Sequence, residues 1–277
     1  MRKLLNVLIV VLLVGGVGLI LYPTIGEYIN SKHSAAVISQ YHDVYVNTDE
    51  IRRKELISDA EKYNEALSAS STSLYDPTGV VGYKDTLDIT GTGIMGYIDI
   101  DKIGVELPIY HGVDDGILQV GVGHLEGSSL PVGGPSTHCV LSGHRGLPSA
   151  RLFTDLDEME VGDKFTITVL DRVLTYEVDQ IRVVLPQDVS SLTIEDGKDY
   201  CTLVTCTPYG INTHRLLVRG VRTDGGVIKA PGLFVSNEAF KIDKAIVATV
   251  MALPAFIAIV AATIIIERRR TGHGRQK

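Results

Sequence analysis

Cys206 closes the apolar, β-branched run Thr202-Leu203-Val204-Thr205, and Arg215 follows nine residues later. Between them, Thr207-Pro208-Tyr209-Gly210 breaks the extended pattern. A thiol at a strand end beside a loop is accessible, whereas a mid-strand thiol is usually buried and inert. If a hairpin joins the runs on either side, Arg215 lies beside Cys206. A guanidinium there would favour the thiolate and stabilise negative charge on a carbonyl oxygen under attack. Arg219 and Arg222, further along the second run, fit surface ion pairs better. His144 ends another extended run, Thr137–Gly143, before the turn-like Arg145-Gly146-Leu147-Pro148. An imidazole near a thiolate can give a proton to a leaving amine and later take one from an incoming nucleophile. Nucleophile, proton carrier and fixed cation together are a set for covalent acyl transfer by a thiol. His111, His124, His138 and His214 compete with His144 for the proton-carrying role, and spacing alone gives His144 a modest edge. Cys with His also suggests zinc, but the chain has no Cys-x-x-Cys or His-x-x-x-His pair, so no metal and no cofactor is expected.

The elements that must position these residues lie between two hydrophobic segments. Leu4 to Tyr22 is an apolar run of nineteen residues behind Arg2 and Lys3, with Asn6 its one strongly polar member. Ala245 to Ile266 runs for twenty-two residues without a charge and is followed by Arg268, Arg269, Arg270, Arg275 and Lys277. Roughly 20 apolar residues span a bilayer, so both are long enough. Pro254 in the second run is tolerated in membrane helices. Basic residues at both outer flanks place both termini in the cytoplasm and the intervening segment outside the cell membrane. The first run fits either an uncleaved anchor or a cleaved signal peptide. No clean small-x-small site follows it, which favours the anchor. The formal net charge of −7 argues against nucleic-acid binding. Three cysteines, Cys139, Cys201 and Cys206, leave at least one thiol without an internal partner.

Between the anchors the texture changes twice. Residues 1–30 form the N-terminal anchor or signal segment, and 31–93 an extracytoplasmic helical region. Within the latter, Leu56, Ala60, Tyr63 and Leu67 recur on one face of a helix predicted over Thr48–Leu67. Ser68–Gly93, rich in Ser, Thr, Gly and Asp, reads as a linker or surface loop. From Ile94 short apolar stretches alternate with Gly, Pro and Asp: Met95–Ile100, Val105–Tyr110, His138–Ser142, Lys164–Leu170, Leu174–Val184, Tyr200–Thr205 and Leu216–Val221. With one short helical stretch near Ala150–Leu156, this predicts a mainly β domain over 94–224, a barrel or sandwich. A linker over 225–244, the second anchor over 245–266 and a basic cytoplasmic tail over 267–277 complete the chain.

The run from Thr202 to Tyr209, with Arg215 beyond it, resembles the signature of sortases, the cell-wall transpeptidases of Gram-positive bacteria. The resemblance extends over Ile94 to Gly220. Gly121–Gly134 and Leu141–Pro148 resemble the class C, pilus-assembling branch, as do the C-terminal anchor and the extra N-terminal region. The resemblance implies a closed eight-stranded β-barrel with an N-terminal helical extension and two transmembrane helices. It implies cleavage of a Leu-Pro-x-Thr-Gly-like sorting signal between Thr and Gly. By the motif match, Cys206 is the nucleophile that forms a thioacyl enzyme, His144 the general acid and base, and Arg215 the residue that positions substrate and stabilises the oxyanion. Thr205 is a candidate for supporting the site through its backbone or hydroxyl. The implied partners are pilin subunits or surface proteins bearing the signal. In the pilus branch a pilin lysine amine is the acceptor, and a peptidoglycan amine is the alternative. A membrane-tethered barrel that only binds cell-wall peptides would not require Cys206, His144 and Arg215 together.

Two further expectations come with the resemblance. Class C sortases often carry an Asp-Pro-aromatic lid. The matching place here reads Leu74-Tyr75-Asp76-Pro77-Thr78. Asp76 and Pro77 fit, so Asp76 can pair with Arg215. Thr78 stands where the aromatic ring would be, with Tyr75 as a substitute, and an ordinary Asp-Pro turn is the alternative. The family's fold also implies that the strands of His144 and Cys206 are parallel neighbours. Cys139 and Cys201 each precede the catalytic residue of their strand by five positions. They are then side by side on the opposite sheet face, either joined by a disulfide or as two buried, reduced thiols.

Overall fold

The computed structural model describes residues 2–70, 74, 80, 82–223, 228 and 229. The chain divides into two compact units, residues 1–28 with 235–277 and residues 29–234. In the first, the described part is helical and belongs to helix α1, Arg2–Asn47. Among the described residues no helix is long and apolar enough to cross a membrane. The first expected span lies within α1, and the second, 245–266, lies outside the described residues.

The second unit is built on a barrel. Helix α2, Glu50–Ser68, starts where the Asp49 side chain accepts a hydrogen bond from the Ile51 amide at 3.0 Å, satisfying one of the amides a helix start leaves open. Its expected apolar face is buried, with Leu56, Ala60, Tyr63 and Leu67 joined by Ile57 and Asn64. Asn64 adds direction to this packing: its amide bonds both the carbonyl (3.1 Å) and the amide (2.7 Å) of Leu130. Ahead of α2, Tyr41 at the end of α1 hydrogen-bonds the Met95 carbonyl and the Leu170 amide, both at 2.9 Å.

Among the described residues nine strands follow: β1 Ile94–Ile100, β2 Val105–His111, β3 Val122–His124, β4 Thr137–Ser142, β5 Lys164–Val169, β6 Arg172–Val184, β7 Asp199–Thr207, β8 His214–Arg222 and β9 Ile228–Lys229. A four-residue helix, α3 Asp115–Leu118, precedes β3. The order is β5-β1-β2-β3-β4-β7-β8-β6-β9, and an added β5–β6 pairing closes the first eight strands into a barrel. Closure leaves no free edge on most of the sheet. β2–β3 and β4–β7 are parallel, and the rest are antiparallel. Inward positions fill the barrel, among them Ile98, Ile109, Leu141, Phe165, Ile167, Tyr176, Leu203 and Val218. Phe165 and Tyr176 stack at 5.5 Å.

All seven predicted strands are present. β3 escapes the pattern because it is three residues long and contains a glycine. β9 falls in the segment expected as linker and pairs with the start of β6. Near Ala150–Leu156 turns replace the expected helix, followed by a 3-10 turn at Leu156–Glu158. Ser68–Gly93 is more than a surface loop: Tyr83, in a 3-10 turn, and Leu87 are both buried in the main core.

Candidate active site

The parity of β7 and β8 separates two environments. On β7, Cys201 and Leu203 point into the barrel, and Thr205 continues that inward series. Val204 and Cys206 therefore face outward. On β8, Leu216 and Val218 point inward, while Arg215 and Leu217 face outward. Cys206 and Arg215 are directly opposed in the antiparallel register, so their side chains share one face. Cβ atoms of such pairs lie about 4.5–5.5 Å apart. The expected hairpin is thus in place. Cys206 and Arg215 are both half-buried, reachable yet partly shielded.

His144 arrives from the other side of β7. Ser142 is in parallel register with Val204, two residues before His144 and Cys206 respectively. The Gly143 amide extends the ladder by bonding the Val204 carbonyl at 3.0 Å. His144, half-buried, is brought level with Cys206. Its backbone is held by sequence-specific contacts. The Thr205 hydroxyl donates to the Gly143 carbonyl at 2.7 Å in a buried bond, and the Phe153 amide bonds the His144 carbonyl at 3.1 Å. Gly143 lies under the Phe153 ring, where an added Cβ would come within 2.6 Å. Glycine is required there by space. One residue on, Arg145 is ion-paired with Asp157, and its Nη1 reaches the Thr207 hydroxyl at 3.4 Å.

Arg215 is anchored through Nη1, which donates to the carbonyls of His214 (3.1 Å) and Asn212 (3.3 Å). Its Nε and Nη2 make no hydrogen bond among the described residues. The guanidinium plane is held by one nitrogen, and the rest of its fork remains for a ligand on the outer face.

The competing histidines are committed elsewhere. The His111 ring lies between the carbonyls of Gly93 and Thr86. His124 is fully buried: Nε2 is 2.8 Å from the Ser129 carbonyl, Nδ1 is 3.0 Å from the Tyr83 hydroxyl, and that hydroxyl donates to the His124 carbonyl at 2.9 Å. His138 is buried against the Thr193 carbonyl and the Thr202 hydroxyl. His214 contacts Thr213 and sits one position off Arg215, on the other face of the strand. Sequence spacing could not separate these five residues, because the separation depends on which backbone carbonyls surround each ring.

Cys139 and Cys201 are directly opposed across β4 and β7, both inside the barrel and both free. Both thiols are free, the reduced one of the two expected arrangements. Burial pushes the Cys201 thiol well above its usual range. Burial acts on Cys139 in the same sense, but a hydrogen bond from Cys201 and the neighbouring His124 outweigh it and draw that thiol down. Among the described residues no group of three or more His, Cys, Asp or Glu side chains is arranged to hold a metal ion.

Below the Cys206–Arg215 pair the outer face is apolar. Val140, Leu192 and Leu217 form a buried cluster with Leu125, Val184, Val189 and Val204 packed against it. Leu74 packs there as well. Tyr75, Asp76, Pro77 and Thr78, which carry the lid expectation, lie outside the described residues.

The stretch that carries the thiol, the imidazole and the guanidinium matches a known family. The Sortase domain model matches residues 98–223. Sortase D of Bacillus subtilis is 30% identical over 181 residues, covering 61% of this chain and 88% of that protein. The chain belongs to the sortase family. Among solved structures, sortase C of Streptococcus pneumoniae is similar at 45% identity and a TM-score of 0.63, covering 71% of this chain and 99% of that one. The structure of Clostridium perfringens sortase C with the C-terminal cell wall sorting motif is similar at 45% identity and a TM-score of 0.60, covering 68% and 98%. These neighbours are class C sortases, so the branch resemblance in Gly121–Gly134 and Leu141–Pro148 has a structural counterpart.

Proposed function

We propose that this sortase cleaves a Leu-Pro-x-Thr-Gly-like sorting signal between Thr and Gly and transfers the acyl group to a pilin lysine amine, polymerising pili. The observation that carries the reading is the direct Cys206–Arg215 pairing with His144 level beside it. The Cys206 thiolate attacks the threonyl carbonyl, forming the carbon–sulfur bond and a tetrahedral oxyanion. The free part of the Arg215 fork donates to that oxygen. As the carbon–nitrogen bond breaks, His144 delivers a proton to the leaving glycyl amine. The thioacyl enzyme then meets a lysine amine. Neutral His144 takes its proton, the amide forms, and the thiolate leaves. Water in place of the amine gives hydrolysis as a side activity.

The class C neighbours, one of them solved with a sorting motif, support a substrate bearing this signal. The half-buried Val204, backed by the buried Val140, Leu192 and Leu217, suits the signal's leucine. The hydrophobic runs at both ends tether the enzyme to the membrane, with the barrel outside and both termini in the cytoplasm. Protease protection in intact cells tests that topology.

Incubating the extracytoplasmic segment with a sorting-signal peptide and measuring the mass of Cys206-containing peptides tests the chemistry. A thioester on Cys206 is expected, and peptide bound without covalent change would leave only a binding barrel. Offering pilin lysine and peptidoglycan amines in competition tests the acceptor. Preference for the peptidoglycan amine would replace pilus assembly with surface-protein anchoring.

A further inference from the structure

His138 lies on the same outward face of β4 as Val140, and it is 1% exposed. Its Nδ1 is 2.9 Å from the Thr193 carbonyl and its Nε2 is 2.7 Å from the Thr202 hydroxyl. The carbonyl can only accept, so Nδ1 carries the proton. Burial lowers the pKa of the ring, keeping it neutral, so Nε2 accepts from Thr202. Tyr200 closes over the ring at 5.5 Å, and Arg219 stacks on Tyr200 at 4.1 Å. The imidazole is fixed on every side.

What it holds is a loop. Between β6 and β7 the chain makes a 3-10 turn at Ser190–Leu192, and Thr193 follows directly. Leu192 is buried against Val140 and Leu217. Val204 packs on the same cluster and precedes Cys206 by two residues on the same face. Leu217 follows Arg215 by two. The wall of the apolar strip is therefore set by a loop residue, while its floor is set by strands. Of the other side-chain ties on this loop, Arg182 to Ser191, Ser190 to Asp188, Thr193 to the Ser190 carbonyl, Ser136 to Asp196 and Arg219 to Glu195 are exposed, and Tyr200 to Glu195 is part-buried. The His138–Thr193 bond lies next to Leu192 and comes from a buried ring.

We propose that His138 is a positioning residue for substrate recognition: by holding the Thr193 carbonyl it keeps Leu192 packed behind Val204, the half-buried residue of that cluster on the Cys206 strand, and so fixes the apolar surface that the sorting signal's side chain meets. This rests on the sorting-signal reading above. Without the bond the turn loses its tie to the buried ring, and Leu192 no longer holds Val204 from behind.

The two ring nitrogens make the test specific. His138→Asn places an amide donor where Nδ1 stands and keeps the Thr193 bond. His138→Gln reaches the Nε2 position and keeps the Thr202 bond instead. With a sorting-signal peptide and its Leu→Ala analogue, the wild type should discriminate by at least about tenfold in kcat/KM. The Asn variant should retain most of that discrimination. The Gln variant should raise KM by a few-fold to about tenfold, as expected for the loss of one hydrogen bond to a part-buried carbonyl, and lose most of the discrimination with kcat little changed. Alkylation of Cys206 by iodoacetamide should be equal in all three, since the thiol's surroundings are untouched. Hydrogen exchange of the 189–194 amides gives a readout independent of activity, and it should quicken in Gln but not in Asn. Equal KM and discrimination in Asn and Gln, or unchanged exchange in Gln, would overturn the proposal. A wild type that cleaves neither peptide would refute the sorting-signal reading, while the exchange comparison would still decide whether His138 holds the turn.

Discussion

Replacing Arg215 by lysine keeps the charge and removes the geometry. The wild-type guanidinium has five N–H donors. Nη1 supplies both of its hydrogens to the carbonyls of His214 and Asn212. Three donors remain on Nε and Nη2, in one plane, on the face where Cys206 lies. A lysine ammonium has three donors in all. If it keeps the two loop carbonyls, one donor is left, without a fork. If it turns to the substrate, both carbonyls lose their partner. In either case at least one oxyanion donor is lost or misplaced. A loss of that kind costs on the order of 10²–10³ in kcat, or about 2.7–4 kcal/mol of transition-state stabilisation. The assay is cleavage of a fluorogenic sorting-signal peptide, with iodoacetamide alkylation of Cys206 alongside. Cleavage should fall at least about 100-fold, while alkylation, which senses mainly the nearby positive charge, should change by only a few-fold. Cleavage near the wild-type rate would show that Arg215 supplies only general positive potential. An equal fall in both would instead assign it to thiolate formation.

Cys206→Ala should abolish cleavage and transfer while leaving thermal unfolding unchanged, because it removes the covalent route itself. Substantial turnover of an unmodified peptide would sink that assignment. Thr205→Val keeps the shape but leaves the buried Gly143 carbonyl unpaired, at a cost of about 1–3 kcal/mol. A lower Tm and a reduced kcat at unchanged KM are expected, and a fully active, equally stable variant would deny Thr205 a part in holding His144. Asp76→Ala should speed labelling of Cys206 by a bulky thiol reagent if the Asp-Pro segment covers the thiol, with equal rates pointing to a plain turn. Finally, denaturation without reductant should expose three alkylatable thiols, since Cys139 and Cys201 are both free. One alkylatable thiol would mean that the pair oxidises.

Sequence reached the strand-end chemistry and stopped short of its supports, for a physical reason. Position 206 was legible because alternation, a following Pro-Tyr-Gly and a downstream arginine are all local signals. The hairpin register that opposes Cys206 to Arg215 follows from the same locality. His144 was legible only as one of five, because its selection depends on β4 lying parallel to β7, a non-local pairing that no single-chain pattern encodes. The family resemblance supplied that pairing. Tyr83 and Leu87 were lost inside a Ser- and Gly-rich stretch. Composition judged the stretch by its average, while the core takes individual side chains. Asn64 was not singled out either: an amide on the apolar side of a helix has no visible purpose until the backbone of Leu130 meets it.

The division of labour in the barrel follows from strand parity. Each strand that carries a reacting residue outward must also point its intervening residues inward, so β7 serves the core through Cys201 and Leu203 and the site through Val204 and Cys206. A one-residue slip of β7 would exchange these sets, placing a thiol in the core and Leu203 at the surface. The β4–β7 register must therefore be specified well away from the reacting residues. The buried cysteines sit in that register, and both side chains are packed in the barrel core. Thr205 then locks the open end by tying β7 to Gly143. His144 stands beyond the last β4 residue, where a strand alone would fray. It is held there by the Gly143 amide on Val204, the Thr205 hydroxyl and the Phe153 amide. The precision of the pair His144 and Cys206 thus comes from bonds made by their neighbours, and among the described residues neither reacting side chain is tied up in a hydrogen bond.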